Sequence, residues 1–217
     1  FAISGDSNSV LAALKTLSSW LPEFERLKLI LGGDNDFGLT GNASPGADVE
    51  LLNNGLSKSL DGVVAVTVEA ASDLPPEGTS RVNAATGEME VLTAGYWLPQ
   101  MDFEAGYGQC RDKANALLHK RDVNFVTGSA RLDARSLRVI NAITSLVMKC
   151  VQSGGLRVEV GGHTDRRGDS ASNMKLSQDR ADAVVDALIL RGIPADRIVA
   201  AGYGDTKPVA DNDTEDG

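Results

Sequence analysis

The chain is poor in several residue types that mark particular protein classes. Among its 217 residues, only five are Phe, three Tyr, two Trp, two His and two Cys. With so few aromatics, any core must be built mainly from Val, Leu, Ile and Ala. No cluster of Lys and Arg is present, and the formal charge is −9. Counterion release at a polyanion needs clustered cations, which disfavours nucleic acid and an anionic membrane surface as partners. No apolar run approaches the roughly 20 residues that cross a bilayer. The longest, such as Val63–Val68, have only strand length. What is present suits a folded chain of one or two domains: 42% hydrophobic and 24% charged residues, with 23 glycines that imply many turns. Cys110 and Cys150 permit one disulfide in an oxidising compartment or two thiols in a reducing one.

Residues 1–71 read as one α+β unit with the order strand, helix, strand, strand, helix, strand. Phe1–Ser4 is a strand candidate. A helix over about 8–20, capped by Asp6 or Ser7, places Val10, Leu11, Leu14, Leu17 and Leu21 at helical spacing. Leu27–Leu31 and Phe37–Thr40 are strands around the turn cluster Gly32–Asp36. Asp48–Leu60 repeats the helical pattern through Val49, Leu52, Leu56 and Leu60, and Val63–Glu69 closes the unit as an apolar strand. Residues 72–106 read as a connection, broken at Asp73–Gly78, with a possible hairpin over Asn83–Leu92 and a short apolar anchor at Tyr96–Pro99. Residues 107–217 form a second unit. It contains a helix over Gln109–Lys120 with Cys110, Ala114, Leu117 and Leu118 inward, and a strand over Val123–Val126. A long helix over Asp133–Cys150 and a strand over Leu156–Gly161 follow. A helix over Ser177–Arg191, stopped by Gly192, then leads to a strand over Ile198–Gly202. The expected fold class is therefore α+β: two small sandwiches, each with helices packed on a mixed sheet.

The densest polar stretch runs from Gly161 to Asp169, between a strand and the next helix. His163 and Asp165 are metal-ligand types two residues apart, yet zinc wants three or four ligands. The other histidine, His119, lies on a separate helix. The same pair could share a strand face for acid–base work, but no nucleophile sits in a turn such as Gly-x-Ser-x-Gly. A third reading is a charge clamp. Asn173, Leu176 or Ser177, Arg180 and Val184 fall on one helix face. Asp165 could accept from an ammonium while Arg180 grips a carboxylate with two parallel hydrogen bonds. The same spacing also allows an Asp165–Arg180 salt bridge that only fixes the loop, or a helix-capping role for Asp165.

The run Gly162-His163-Thr164-Asp165-x-x-Gly168, followed by Asn173-x-x-Leu176-Ser177-x-x-Arg180-Ala181-x-x-Val184, resembles the OmpA-like peptidoglycan-binding domain, a family that includes Pal-like and MotB C-terminal domains. The likeness continues through Gly192-Ile193-Pro194-Ala195-x-Arg197-Ile198, Ala201–Gly204 and Lys207–Asn212. It covers about half the chain, from Val123 onward. The resemblance implies that Asp165 and Arg180 hold the free end of diaminopimelate in the peptide stem, which carries both an ammonium and a carboxylate. Asn173 and Leu176 would line that pocket, and Phe125 would form its opposite wall. His163 becomes a loop-orienting residue. No metal, cofactor or catalytic residue is implied, so the chain is expected not to be an enzyme. The implied place is the bacterial periplasm and cell envelope, with a membrane tether expected upstream of Phe1. In that oxidising compartment a Cys110–Cys150 disulfide is expected, stabilising by roughly 3–4 kcal/mol in the chain-entropy model.

Residues 1–71 resemble the BON module found beside such domains. That likeness rests on element order, the Leu39-Thr40-Gly41 return and the closing Val63–Glu69 strand, and it implies contact with envelope proteins or phospholipid. Two departures from the family pattern stand out. Val126 occupies a place where many members carry an acidic residue. The pattern also continues beyond Gly217 with an Asn-Arg-Arg segment and a last strand, so the C-terminal strand is expected to be absent. Two other functions compete: a periplasmic protein-interaction scaffold with a degenerate wall site, and a cell-wall hydrolase, for which no catalytic constellation assembles.

Overall fold

The computed structural model describes residues 14–18, 20–31, 37–60, 63–84 and 86–207. The expected strand Phe1–Ser4, the start of the first helix, the Gly32–Asp36 turn and everything from 208 onward lie outside the described residues. The chain divides into two compact units, Phe1–Trp97 and Leu98–Gly217, and both combine helices with sheet as the α+β reading expects.

In the first unit, residues 14–18 are helical and lead to β1 (Phe24–Leu31), β2 (Phe37–Ala43) and β3 (Val63–Glu69). β2 lies between the other two, antiparallel to β1 and parallel to β3. A parallel pair cannot be joined by a tight turn, and α1 (Val49–Ser59) supplies the crossover. Asp48 caps it by accepting from the Leu51 amide at 3.0 Å. Leu52, Leu56 and Leu60 recur every four residues and are all buried. Asn53 fastens the helix to the sheet, since its side chain exchanges two hydrogen bonds with the Val68 backbone. A second small sheet holds β4 (Ser80–Val82), β5 (Met89–Thr93) and β6 (Tyr96–Pro99). Its strands lie in the segment read as a connection. Arg81 binds them to the first sheet by pairing with Glu25 on β1 and Glu90 on β5 and lying 4.1 Å over the Trp97 ring.

The second unit begins with α2 (Tyr107–Leu118), then α3 (Leu137–Gln152), β7 (Val158–Gly162), α4 (Ser170–Leu190) and β8 (Ile198–Gly202). β7 and β8 pair in parallel from Val158↔Ile198 to Gly162↔Gly202. Ile140 and Val147 of α3, Val184 and Leu188 of α4, and Ile193 and Ile198 form the buried core. Arg191 is buried at the end of α4, donating to Asn141 Oδ1 at 2.7 Å and to the Ala187 carbonyl at 2.8 Å. The Cys110–Cys150 disulfide is formed and joins α2 to α3 beside the buried Leu146. Closing a loop across 40 residues stabilises by about 4 kcal/mol in the chain-entropy model.

Three expectations are corrected. No strand forms over Val123–Val126; that segment contributes one antiparallel bridge, Phe125↔Leu132. Two of its backbone groups close a local hairpin around Gly128, where the Val126 amide donates to the Arg131 carbonyl and the Asn124 carbonyl accepts from the Asp133 amide. The helix expected at Ser177–Arg191 begins seven residues earlier, at Ser170, because Asp169 caps it through the Ser172 amide at 2.9 Å. Leu118, expected inward, is 49% exposed at the end of α2.

Candidate functional site

The loop from His163 to Asp169 is set by close backbone packing. A Cβ on Gly162 would lie 2.0 Å from the Ser177 carbonyl oxygen, and one on Gly202 would lie 2.5 Å from the Gln178 nitrogen. Glycine at these two places lets both strand ends press directly onto α4. The contact is then hydrogen-bonded: Ser177 Oγ accepts from the Gly204 amide at 2.8 Å, and Gln178 Oε1 from the Gly202 amide at 2.7 Å. The Thr164 amide donates to the Gly204 carbonyl at 3.0 Å. His163 stacks on Tyr203 with ring centroids 5.3 Å apart, and Lys207 Nζ lies 3.7 Å from the centre of the Tyr203 ring. The Tyr203 hydroxyl donates to Glu159, which pushes the phenol above its ordinary range. His163 is thus held against Tyr203 by ring packing.

Asp165 stands at the outer side of this loop, with a side chain 48% exposed. Its Oδ1 accepts from the Arg167 amide at 3.0 Å, which fixes the carboxylate on its own turn. Asp165 does not cap α4, a task that falls to Asp169. Hydrogen bonds from Ser172 hold the Asp169 carboxyl below its ordinary range. Asn173, buried in the first turn of α4, donates to the carbonyls of Asp165 at 3.2 Å and Arg167 at 3.1 Å. It belongs with Asp165 because it shapes the loop that carries the carboxylate.

Arg180 lies seven residues beyond Asn173 on α4, about 10 Å along the axis at 1.5 Å per residue. Its guanidinium covers the Phe125 ring at 4.9 Å, and Nε donates to the Ser129 carbonyl at 3.3 Å. Both terminal nitrogens point to no acceptor among the described residues. Asp165 and Arg180 are not paired with each other, so the loop-fixing salt bridge is not formed. The structure thus makes two sub-assemblies, Asp165 with Asn173 and Arg180 with Phe125, on a shared helix. Leu176 is half-buried between them in sequence. Sequence reasoning missed Ser129, whose carbonyl steers Arg180, because a backbone acceptor has no signature in residue type. Among the described residues no group of three or more His, Cys, Asp or Glu could hold a metal ion, and no helix is long and apolar enough to cross a membrane.

Comparison with known proteins adds a family. Residues 124–217 match the OmpA family. Outer membrane porin F of Pseudomonas fluorescens is 57% identical over 60 residues, 28% of this chain and 18% of that protein. The probable lipoprotein YiaD of Escherichia coli is 36% identical over 113 residues, 52% of this chain and 50% of that protein. The chain thus spans half or less of the length of these curated relatives. A solved structure of the peptidoglycan-associated lipoprotein from Burkholderia pseudomallei is 31% identical, covering 46% of this chain and 83% of that one at a TM-score of 0.39.

Proposed function

We propose, from the match of residues 124–217 to the OmpA family, that this part of the chain is an OmpA-like domain that binds peptidoglycan non-covalently and anchors an envelope protein to the cell wall. The ligand is the free end of diaminopimelate in the stem peptide. Asp165 accepts from its ammonium, and the terminal nitrogens of Arg180 take its carboxylate as a bidentate pair. Asn173 positions the loop, Leu176 lines the space between the two charges, and Phe125 backs the guanidinium. The observation that carries this reading is that a carboxylate and a guanidinium stand on one helix and its entry loop, unpaired with each other: Asp165 is half-exposed, with Oδ1 on the Arg167 amide and Oδ2 3.9 Å from the Arg167 guanidinium, and Arg180 is held from behind by the Ser129 carbonyl. One clamp makes few contacts, so single-site affinity is modest. Many copies on one sacculus raise it by avidity.

The relatives' names, an outer membrane porin and a lipoprotein, support a place in the bacterial envelope. We place the site in the periplasm, with a membrane tether upstream of Phe1. Residues 1–71 are read as a BON-like module facing another envelope protein or phospholipid, residues 72–106 as the connection, and residues 107–217 as the wall-binding domain. A scaffold with a degenerate wall site is the rival, favoured by the apolar, half-buried Val126 beside Phe125.

Sedimentation with purified diaminopimelate-type sacculi tests the reading. The wild-type chain co-sediments, while Asp165→Ala and Arg180→Ala remain in the supernatant with unchanged circular dichroism. Co-sedimentation of folded mutants equal to the wild type overturns the clamp. A wild type that stays in solution supports the scaffold.

A further inference from the structure

The Asp165 carboxylate is met from two sides by one residue. The Arg167 amide donates to Oδ1 at 3.0 Å, and the Arg167 guanidinium stands with Nε 3.9 Å from Oδ2. At that distance the pair exceeds hydrogen-bond reach, so what acts between the two groups is charge. The Arg167 backbone is tied at both its polar groups, because Asn173 also donates to its carbonyl at 3.1 Å. The side chain, by contrast, is 88% exposed. The loop therefore roots a cation beside the carboxylate that is to receive a cation, and its shape does not depend on that cation's side chain.

We propose that Arg167 is a specificity-determining residue: a charge filter that turns plain amines away from Asp165 and admits an ammonium that brings its own carboxylate. This role rests on the clamp reading above and adds a selection rule to it. An alkylammonium that reaches Asp165 also enters the field of the guanidinium, and the repulsion offsets part of its attraction to the carboxylate. An amino-acid end carries both charges on one carbon, with the nitrogen and the carboxylate carbon about 2.5 Å apart by ordinary bond lengths. Its carboxylate can face the guanidinium while its ammonium faces Asp165, and the Arg167 field then no longer opposes entry. Arg180 favours a ligand carboxylate, and Arg167 disfavours a ligand without one. The ligands refused are lysine side chains and simple diamines. Both protein groups are exposed, so the filter is weak, about threefold in affinity, within the range of exposed ion pairs.

The test titrates the full isotope-labelled chain with diaminopimelate and with pentane-1,5-diamine, following the amides of residues 164–169 by nuclear magnetic resonance. Arg167→Gln removes the charge and keeps both backbone hydrogen bonds. It is expected to bind the diamine about threefold more tightly than the wild type does and to leave diaminopimelate nearly unchanged. Arg167→Lys, which restores a cation, keeps the wild-type preference. Raising salt from about 0.01 M to about 0.15 M shortens the screening length from about 30 Å to about 8 Å and shrinks the gain with the diamine, which a merely rearranged loop would not do. An unchanged preference in Arg167→Gln overturns the filter. So does a shift of both affinities by one factor, or a preference that narrows only because diaminopimelate weakens. In each of these cases diaminopimelate still binds and the clamp stands. Binding of neither ligand by either chain refutes the clamp, and the filter with it.

Discussion

Along β7, the edge facing β8 is closed by a complete ladder and by glycines that let α4 touch backbone directly, whereas the opposite edge faces an apolar groove with no strand against it among the described residues. The closed side carries the Asp165 loop and holds it to α4 through Asn173. The open side carries Phe125 and the guanidinium of Arg180, backed by α2 and the Asn124–Asp133 hairpin. The contrast separates two needs of the proposed clamp. One charge must be fixed in position, and the other needs room for a ligand to approach. The difference is made by small residues: glycine where two backbones must meet, aliphatic side chains where they must stay apart.

The open side depends on the disulfide, because Cys110 anchors the groove-wall helix α2 to α3. Reduction, or Cys110→Ala with Cys150→Ala, is expected to have the largest effect. It costs about 4 kcal/mol of stability by chain entropy, read by denaturant unfolding with and without reductant. On the closed side, Gly162→Ala drives a Cβ against the Ser177 carbonyl. The expected loss is about 3 kcal/mol, and a loss below about 0.5 kcal/mol, the range of an ordinary surface change, would show that the joint is looser than described. Asn173→Ala removes two hydrogen bonds from a buried side chain and is expected to cost about 2 kcal/mol. It should weaken ligand binding more than Leu176→Ala does, since it frees the whole Asp165 loop.

The smallest effect is a pH dependence on the closed side. The folded Asp169 carboxyl is held below its ordinary range by hydrogen bonds from Ser172. A depressed acid adds stability above its unfolded value, near 4, and that stability is lost as pH falls through the folded value. Wild type and Asp169→Asn, which keeps a capping side chain but no charge, should therefore differ in Tm at pH 6 and converge as pH falls below about 4.

Much of this fold was legible in residue order. β3 occupies the apolar run Val63–Glu69, β8 the run Ile198–Gly202, and Asp48 caps α1 as the start of that pattern suggests. The helical spacing of Ala181, Val184, Val185 and Leu188 matches their burial on α4. Its first two turns were missed because Ser170, Ala171 and Ser172 carry no apolar period, and Asp169 was read as loop when it was the cap. The strand at Val123–Val126 was misjudged for a different reason. Alternation reports which side chains are half-buried, and Phe125 is, but it does not report the hydrogen-bond partner, which here is the return leg of a hairpin at Gly128. For the site, residue types and spacing offered Asp165 and Arg180 as a clamp, and the family resemblance added Asn173, Leu176 and Phe125. They could not show that Asn173 holds the loop from behind or that Ser129 steers Arg180, because both contacts end on backbone carbonyls.

The central claim is that one ligand end is held by opposite charges at once, and calorimetric titration of the chain with free diaminopimelate, pentane-1,5-diamine and pimelate tests it most directly. The diamine lacks both carboxylates and pimelate lacks both ammonium groups. The account predicts that diaminopimelate binds at least about tenfold more tightly than either, each lost charged contact being of order 1.5 kcal/mol or more. It also predicts that Arg180→Gln erases most of the preference over the diamine and Asp165→Asn the preference over pimelate. Equal binding of all three ligands, or both preferences surviving both substitutions, would contradict it.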